Sequence, residues 1–439
     1  MNQDAPATDS LRTEGDINLS SRRRGWQAQH LDAAARQLLA DDEKFFVRQS
    51  LSTPCLDALT SCSGIYLENT RGQRVMDFHG NSVHQVGYGH PRVIEAIKHQ
   101  LDQLPFCPRR FTNEPAVALA RRLVELTPSG LGKVLLAPGG TVGIGIALKL
   151  ARYAIGRYKT ISMDGAFHGA SLDAVSVGGE GLFRDQLGPL LPGCFHVPWP
   201  QEVDDAGRIE EIMQREGDIA AVVAEPMRCT TVQRPPDAYW RQVRALCNKF
   251  GALLIFDEVP LVLGRTGRMF CCEHSGVTPD VLVLGKGLGG GIMPLAAVVV
   301  HSRLDCVPER AVGHYTHEKS PVAAAAALAT FDIIEEEGLL ERSRELGNYA
   351  MGRLAELASR FPLIAEVRGL GLALAVELRR GAAKANDQAE AVLYGCLSRG
   401  LSFKVSNGNV LTLMPPLVIT QSEIDRSLEI LAEAIAEVH

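Results

Sequence analysis

Nowhere does this 439-residue chain hold an uninterrupted apolar run near the ~20 residues that a membrane-spanning helix needs, so no membrane partner is expected. Nor is there an excess of charge of one sign. The net charge of −6 and the single short basic run, Arg22-Arg23-Arg24, leave no electrostatic footprint for nucleic acid. The start of the chain, MNQDAPATDSLRTEGD, lacks the apolar centre of a signal peptide. Ten cysteines are present but none forms a CxxC pair, and the adjacent Cys271-Cys272 has no Cys or His partner at zinc spacing. No metal site is expected, and ten thiols without an export signal point to a reducing cytoplasm.

What the chain does have is a 46% hydrophobic, 22% charged composition and enough length for two or three domains. Residues 1–19 read as disordered, and one helix is expected through WQAQHLDAAARQLLADDEKFF. Strand-like pieces follow around the Arg71-Gly72 turn. From Pro91 to about residue 310, helical patterns alternate with short apolar runs: KVLLA, KTISM, AAVVAE, ALLIFDE, DVLVLGK and AAVVV. Such runs suit strands buried on both faces of a mainly parallel sheet. A long helix over about 322–360, two strands around Gly369 and Gly371 and a last helix predict a smaller α+β domain. The expected divisions are an N-terminal segment 1–75 that joins the small domain, a large domain 76–319 and a small domain 320–439.

Ligands of α/β sheets gather at the carboxyl ends of the strands, and three strand ends here carry unusual residues. LLAPGGTVGIGIALKLAR runs from a strand through Gly139-Gly140-Thr141 into a helix, a place where backbone amides meet an anion. It lacks both GxGxxG and GxxxxGK[ST], which weakens dinucleotide and P-loop readings. ALLIFDEV puts Asp257 and Glu258 at the end of a second strand, where a carboxylate serves as a cap, a metal ligand or the counter-ion of a protonated heterocycle. DVLVLGKGLGGGIMP places Lys286 after a third strand among glycines, where an amine is free to act as a nucleophile toward an aldehyde. Together they describe a site for pyridoxal 5′-phosphate: phosphate on the helix N-terminus, Asp257 on the ring nitrogen, Lys286 on the aldehyde.

The chain resembles the class III aminotransferases of fold type I from about residue 50 onward. The matching stretches are MDFHGNSVHQVGYGHPRVIEAI, GGTVGIGIALKLAR, FHGAS, VVAEP, LLIFDEV, GRTG, GKGLGGG, THEKSPVAAAAALAT and VRGLGLALAVEL. The resemblance implies an α/β fold with a mainly parallel seven-stranded sheet and a smaller α+β domain. It implies catalytic Lys286 and Asp257, with Gly140, Thr141, Phe167, His168 and Glu225 around the cofactor. It also implies that Thr316 reaches the cofactor phosphate of a neighbouring subunit, in a homodimer with its sites at the interface.

Four departures from the family pattern bear on the chemistry. The phosphate loop, usually Ser-Gly-Thr/Ser-Glu-Ala, is Gly139-Gly140-Thr141-Val142-Gly143, and the usual glutamine after FDEV is Pro260. Thr-Phe-Gly-Gly-Asn-Pro becomes Thr316-His317-Glu318-Lys319-Ser320-Pro321, and PFCPRRFTN brings Arg109 and Arg110 where relatives contact substrate. Arg109, Arg110, His317 and Lys319 as a set suit a phosphonate or phosphate. The chain thus looks like the lyase-type members of the family that act on two-carbon amines. The expected reaction is removal of ammonia from a small phosphonate-bearing amine, with amino transfer to pyruvate or 2-oxoglutarate as the alternative.

Overall fold

The computed structural model describes residues 20–438. The first three strands are short: β1 (Leu59–Ser63), β2 (Tyr66–Asn69) and β3 (Arg74–Asp77). Seven more, β4 (Leu131–Ala137), β5 (Lys159–Met163), β6 (Cys194–Val197), β7 (Ile219–Ala224), β8 (Leu253–Asp257), β9 (Val281–Leu284) and β10 (Ala296–His301), form one sheet. Its order is β4-β10-β9-β8-β7-β5-β6; β10 runs antiparallel to both neighbours and every other pairing is parallel. The apolar runs explain the centre. Every residue of β7, β8 and β9 is buried, as covering helices on both faces require. The expected seven-stranded, mainly parallel α/β sheet is what the chain forms.

The helix Gly140–Ile155 lies on this sheet against β9 and β10. Its glycines set the approach: a Cβ on Gly143 would stand 3.0 Å from a methyl of Val283. The tight fit holds the amino end of that helix beside the carboxyl ends of the central strands.

The C-terminal part holds β11 (Ile364–Leu370), β12 (Ala373–Arg380), β13 (Ala383–Lys384), β14 (Leu401–Ser402), β15 (Lys404–Ser406) and β16 (Val410–Leu413). Strands β11, β12, β16 and β15 pair in that order, and β14 joins β3 in parallel, completing the sheet β1-β2-β3-β14. The N-terminal segment is tied down further by the Trp26 indole, which donates to Ser398 Oγ at 3.0 Å.

Two expected helices are each divided. The N-terminal one splits into Ser21–His30 and Ala33–Phe45, because Asp32 accepts from the Ala35 amide at 2.7 Å and starts a new helix. The long helix splits into Pro321–Glu336 and Leu339–Arg360, because Gly338 adopts φ +63°, a left-handed conformation that ends the first. Strand β6 carries too short an apolar run to stand out in the sequence. The expected disorder of residues 1–19 lies outside the described residues.

Candidate active site

A cavity of about 1140 Å³ opens where the large sheet faces the C-terminal sheet and the loop after β3. Lys286, Phe167 and Cys229 line it from loops of the seven-stranded sheet, Trp26, Leu67 and Val75 from the N-terminal segment, His79 from the loop after β3, and Lys404 and Met414 from the C-terminal part. Lys286 follows β9 with φ +47°, a left-handed conformation that is costly for a residue with a side chain. The glycines around it allow close packing. A Cβ on Gly287 would lie 1.9 Å from Gln85 Oε1, so no other residue fits there without moving Gln85.

Strand β8 ends in two adjacent carboxylates, and the two-residue period of a strand sends them opposite ways. Asp257 is 3% exposed and accepts a hydrogen bond from Nδ1 of buried His168 at 2.8 Å, while its other oxygen accepts from the Val259 amide at 3.0 Å. His168 Nε2 lies 3.2 Å from Ser162 Oγ, so the ring is fixed at both ends. Its Nδ1 must be the protonated nitrogen, since an ionised carboxylate only accepts. Glu225, after β7, accepts from the Cys229 amide at 3.0 Å; burial raises its carboxyl above the usual range, opposed by His168. Glu258 is fully buried and accepts from the amides of Cys271 and Cys272 at 2.5 and 2.7 Å. The adjacent cysteines therefore serve through their backbone. All ten cysteines are free, and among the described residues no group of three or more His, Cys, Asp or Glu is placed to hold a metal ion.

Across from Asp257 lies the start of the Gly140–Ile155 helix. Its cap residue, Gly139, has no side chain to accept from the first turn, and a Cβ there would meet nothing within 4 Å. The first amides of a helix have no partner within it, so this end offers donors to an anion. Thr141 Oγ1 is held 2.7 Å from Ser171 Oγ and accepts the Ser171 amide at 3.1 Å. Gly169, at φ +131°, lets the Phe167-His168-Gly169 turn press on Thr141; a Cβ would stand 2.3 Å from Thr141 Oγ1. An uncapped helix end with open space at Gly139, a fixed hydroxyl, a buried carboxylate and a lysine fit pyridoxal 5′-phosphate: Gly140 and Thr141 for phosphate, Asp257 for the ring nitrogen, Phe167 for the ring face and Lys286 for the aldehyde.

The remaining expected residues sit elsewhere. Arg109 contacts His314, the Phe106 and His317 rings meet edge-on at 5.2 Å, and Asn113 donates to the Lys319 carbonyl at 3.0 Å. Residues 105–113 and 314–320 thus form one block, in which Arg109, Arg110, Thr316, His317 and Lys319 are all exposed. None of those five lines the cavity of its own chain, and of the expected cofactor residues only Phe167 and Lys286 do. His79 and Lys404 do, and sequence reasoning passed over both. The signal for His79 lay inside MDFHGN, immediately after a strand; Lys404 has no motif around it. Burial pushes the His79 ring down to about 4, with Asp77 opposing and Lys404 and Lys286 adding to the shift, so the ring is neutral at pH 7.

The family model for aminotransferase class-III matches residues 49–435. The chain belongs to the class III aminotransferase family. It is 43% identical over 98% of its length to the (R)-1-hydroxy-2-aminoethylphosphonate ammonia-lyase of Vibrio splendidus, covering 96% of that protein. It is 36% identical over 83% of its length to the acetylornithine aminotransferase of Methanopyrus kandleri, covering 92% of that chain. Among solved structures, a transaminase from the marine bacterium Virgibacillus superposes with a TM-score of 0.87 at 30% identity, over 92% of this chain and 99% of that one. This class III chain is therefore a pyridoxal 5′-phosphate enzyme of fold type I. Among its described residues no helix is long and apolar enough to cross a membrane.

Glu258 gives a test of the frame behind the cofactor. Burial pushes its carboxyl from 4.5 up to about 7, against the two amides that favour the charge. A native pKa above the unfolded one contributes stability below about pH 4.5, and that contribution is lost as pH rises through about 7. Urea midpoints of the wild type should therefore fall between pH 5 and pH 8 relative to those of Glu258→Gln. Parallel midpoint curves for the two proteins would contradict this.

Proposed function

We propose that this enzyme removes ammonia from (R)-1-hydroxy-2-aminoethylphosphonate by elimination, giving phosphonoacetaldehyde. The observation that carries the reading is the 43% identity over 98% of the chain to an ammonia-lyase of that name, against 36% over 83% to an aminotransferase. Bound at the helix end, the cofactor supplies an electron sink for the carbon that carries the amine. The residues of the chain do the rest. Lys286, which would hold the cofactor's aldehyde at rest, would take the proton from the amino-bearing carbon with its free amine. Asp257, fixed by His168, keeps a proton on the ring nitrogen, which is what makes the sink effective. The hydroxyl on the neighbouring carbon leaves with its electron pair and a proton as water. The resulting enamine takes up water to give the aldehyde and ammonia, so atoms balance without an external oxidant or acceptor.

A second reading, amino transfer to pyruvate or 2-oxoglutarate, is favoured by the acetylornithine aminotransferase relative. Acceptor-free turnover separates them. Many equivalents of ammonia and aldehyde per site are expected from the aminophosphonate alone, and none from Lys286→Ala. One equivalent followed by a stall that a keto acid relieves would assign the transaminase.

We infer as well that the enzyme works as a homodimer. The exposed block of residues 105–113 and 314–320, with Phe106 and Phe111 on its surface, supports a subunit contact that delivers Thr316 to the partner's cofactor phosphate. Sedimentation at micromolar concentration should give the mass of two chains, and Thr316→Val should retain cofactor less tightly on dialysis. A monomer that keeps its cofactor would contradict the inference.

A further inference from the structure

Elimination as proposed above asks the chain for two proton movements. Lys286 accounts for the one at the amino-bearing carbon. The other is at the neighbouring carbon, where hydroxide is a poor leaving group and departs readily only if it is protonated as it goes. The loop after β3 brings a group to the cavity that suits this second task.

That loop holds strained backbone. Gly80, Asn81 and Ser82 follow one another at φ +45°, +47° and +59°, and only the first lacks a side chain. Consecutive left-handed residues are rare, and a serine among them is costly. The turn is pinned from beneath. The Asp77 carboxylate, 3% exposed, accepts from the His79 and Gly80 amides at 3.1 and 2.8 Å and from the Tyr88 hydroxyl at 2.5 Å. The His84 ring packs against it, with Nε2 3.2 Å from the Asp77 carbonyl, and a Cβ on Gly80 would stand 2.5 Å from that ring. The strained turn puts His79, Asn81 and Ser82 on the wall of the cavity that Lys286 lines.

The other imidazoles and carboxylates described on that wall are occupied. His30 stacks on Trp26 with ring centroids 4.7 Å apart, and its Nδ1 lies 2.9 Å from the Trp26 carbonyl. Asp57 is bound by Arg71 and Asn69 at 2.9 and 3.1 Å, and Glu180 caps the short helix Gly181–Arg184. Cys229 is a poor acid, because burial raises its thiol. His79 is different. Burial, with the ammoniums of Lys404 and Lys286 facing it, holds the ring neutral against the pull of Asp77, so it starts as a proton acceptor close to Lys286.

We propose that His79 is a proton shuttle: it takes a proton from the substrate's ammonium on entry and delivers it to the departing hydroxyl. This rests on the elimination reading. In the first step an N–H bond of the substrate breaks, its electron pair stays on the amine, and the imidazole gains the proton. In the second, the imidazolium N–H bond breaks and an O–H bond forms while the C–O bond breaks, its pair leaving with the oxygen as water. The pair for the new carbon–carbon double bond comes from the C–H bond whose proton Lys286 takes. That proton leaves with the ammonia as ammonium, so no oxidant or acceptor is needed.

Fluoride needs no proton to depart, so 1-fluoro-2-aminoethylphosphonate separates delivery from every other step. With the cofactor-loaded enzyme, His79→Gln should lower kcat for ammonia release from the hydroxy substrate about 100-fold or more, and from the fluoro compound less than about tenfold. In deuterium oxide, hydroxy substrate recovered from the variant should carry deuterium at the amino-bearing carbon, because Lys286 still removes that proton. A readout without turnover is the nitrogen-15 spectrum of histidine-labelled wild type, with His79→Gln identifying the resonance. Adding 2-aminoethylphosphonate, which has an amine and no leaving group, should turn the His79 ring from neutral to imidazolium. A ring that stays neutral overturns the shuttle. So do wild-type rates of His79→Gln on both compounds, and equal slowing on both with no deuterium in recovered substrate, which would leave His79 a structural part of the turn. A wild type that releases no ammonia from either compound overturns the elimination reading itself, and the shuttle with it.

Discussion

A charged carboxylate at the buried end of a central parallel strand is tolerable only if it is paired, and the pairing of Asp257 organises this molecule. One oxygen is held by the Val259 amide and the other by His168, whose far nitrogen meets Ser162. His168 belongs to the turn that Gly169 presses onto Thr141, so the partner of Asp257 and the Thr141 hydroxyl are set by one piece of backbone. Moving Asp257 would mean moving the start of the Gly140–Ile155 helix as well. The acid proposed for the ring nitrogen and the helix end proposed for the phosphate are therefore parts of one packed unit.

The same strand end shows how little sequence separates catalysis from architecture. Asp257 and Glu258 are neighbours, yet alternation gives one to the cofactor side and the other to the amides of Cys271 and Cys272. The sequence reading chose Asp257 for the ring nitrogen and gave Glu258 no role. Burial of Glu258 is the cost of closing the loop that carries those two cysteines.

Apolar runs with flanking glycines made the sheet, its parallel core and the positions of Lys286, Asp257, Gly140 and Thr141 readable, because each is fixed by chain-local rules. Helix divisions at Asp32 and Gly338 were not, since a single cap or left-handed residue is weak against a continuous apolar stripe. The far wall of the cavity was unreadable for a different reason. Lys404 comes to the cavity that Lys286 also lines only through tertiary pairing of β15 with β16, and no spacing in the sequence reports that. The charged stretch 314–320 carried the opposite risk: its residues announce themselves, yet in a single chain they pack with residues 105–113, outside the cavity.

If the strand ends are assembled as described, the cofactor has one covalent partner. Borohydride reduction of the loaded enzyme, followed by digestion and mass spectrometry, should place the reduced pyridoxyl phosphate on the peptide containing Lys286 and no other. The added mass on Lys404, or its absence from every lysine, would contradict the account at its centre.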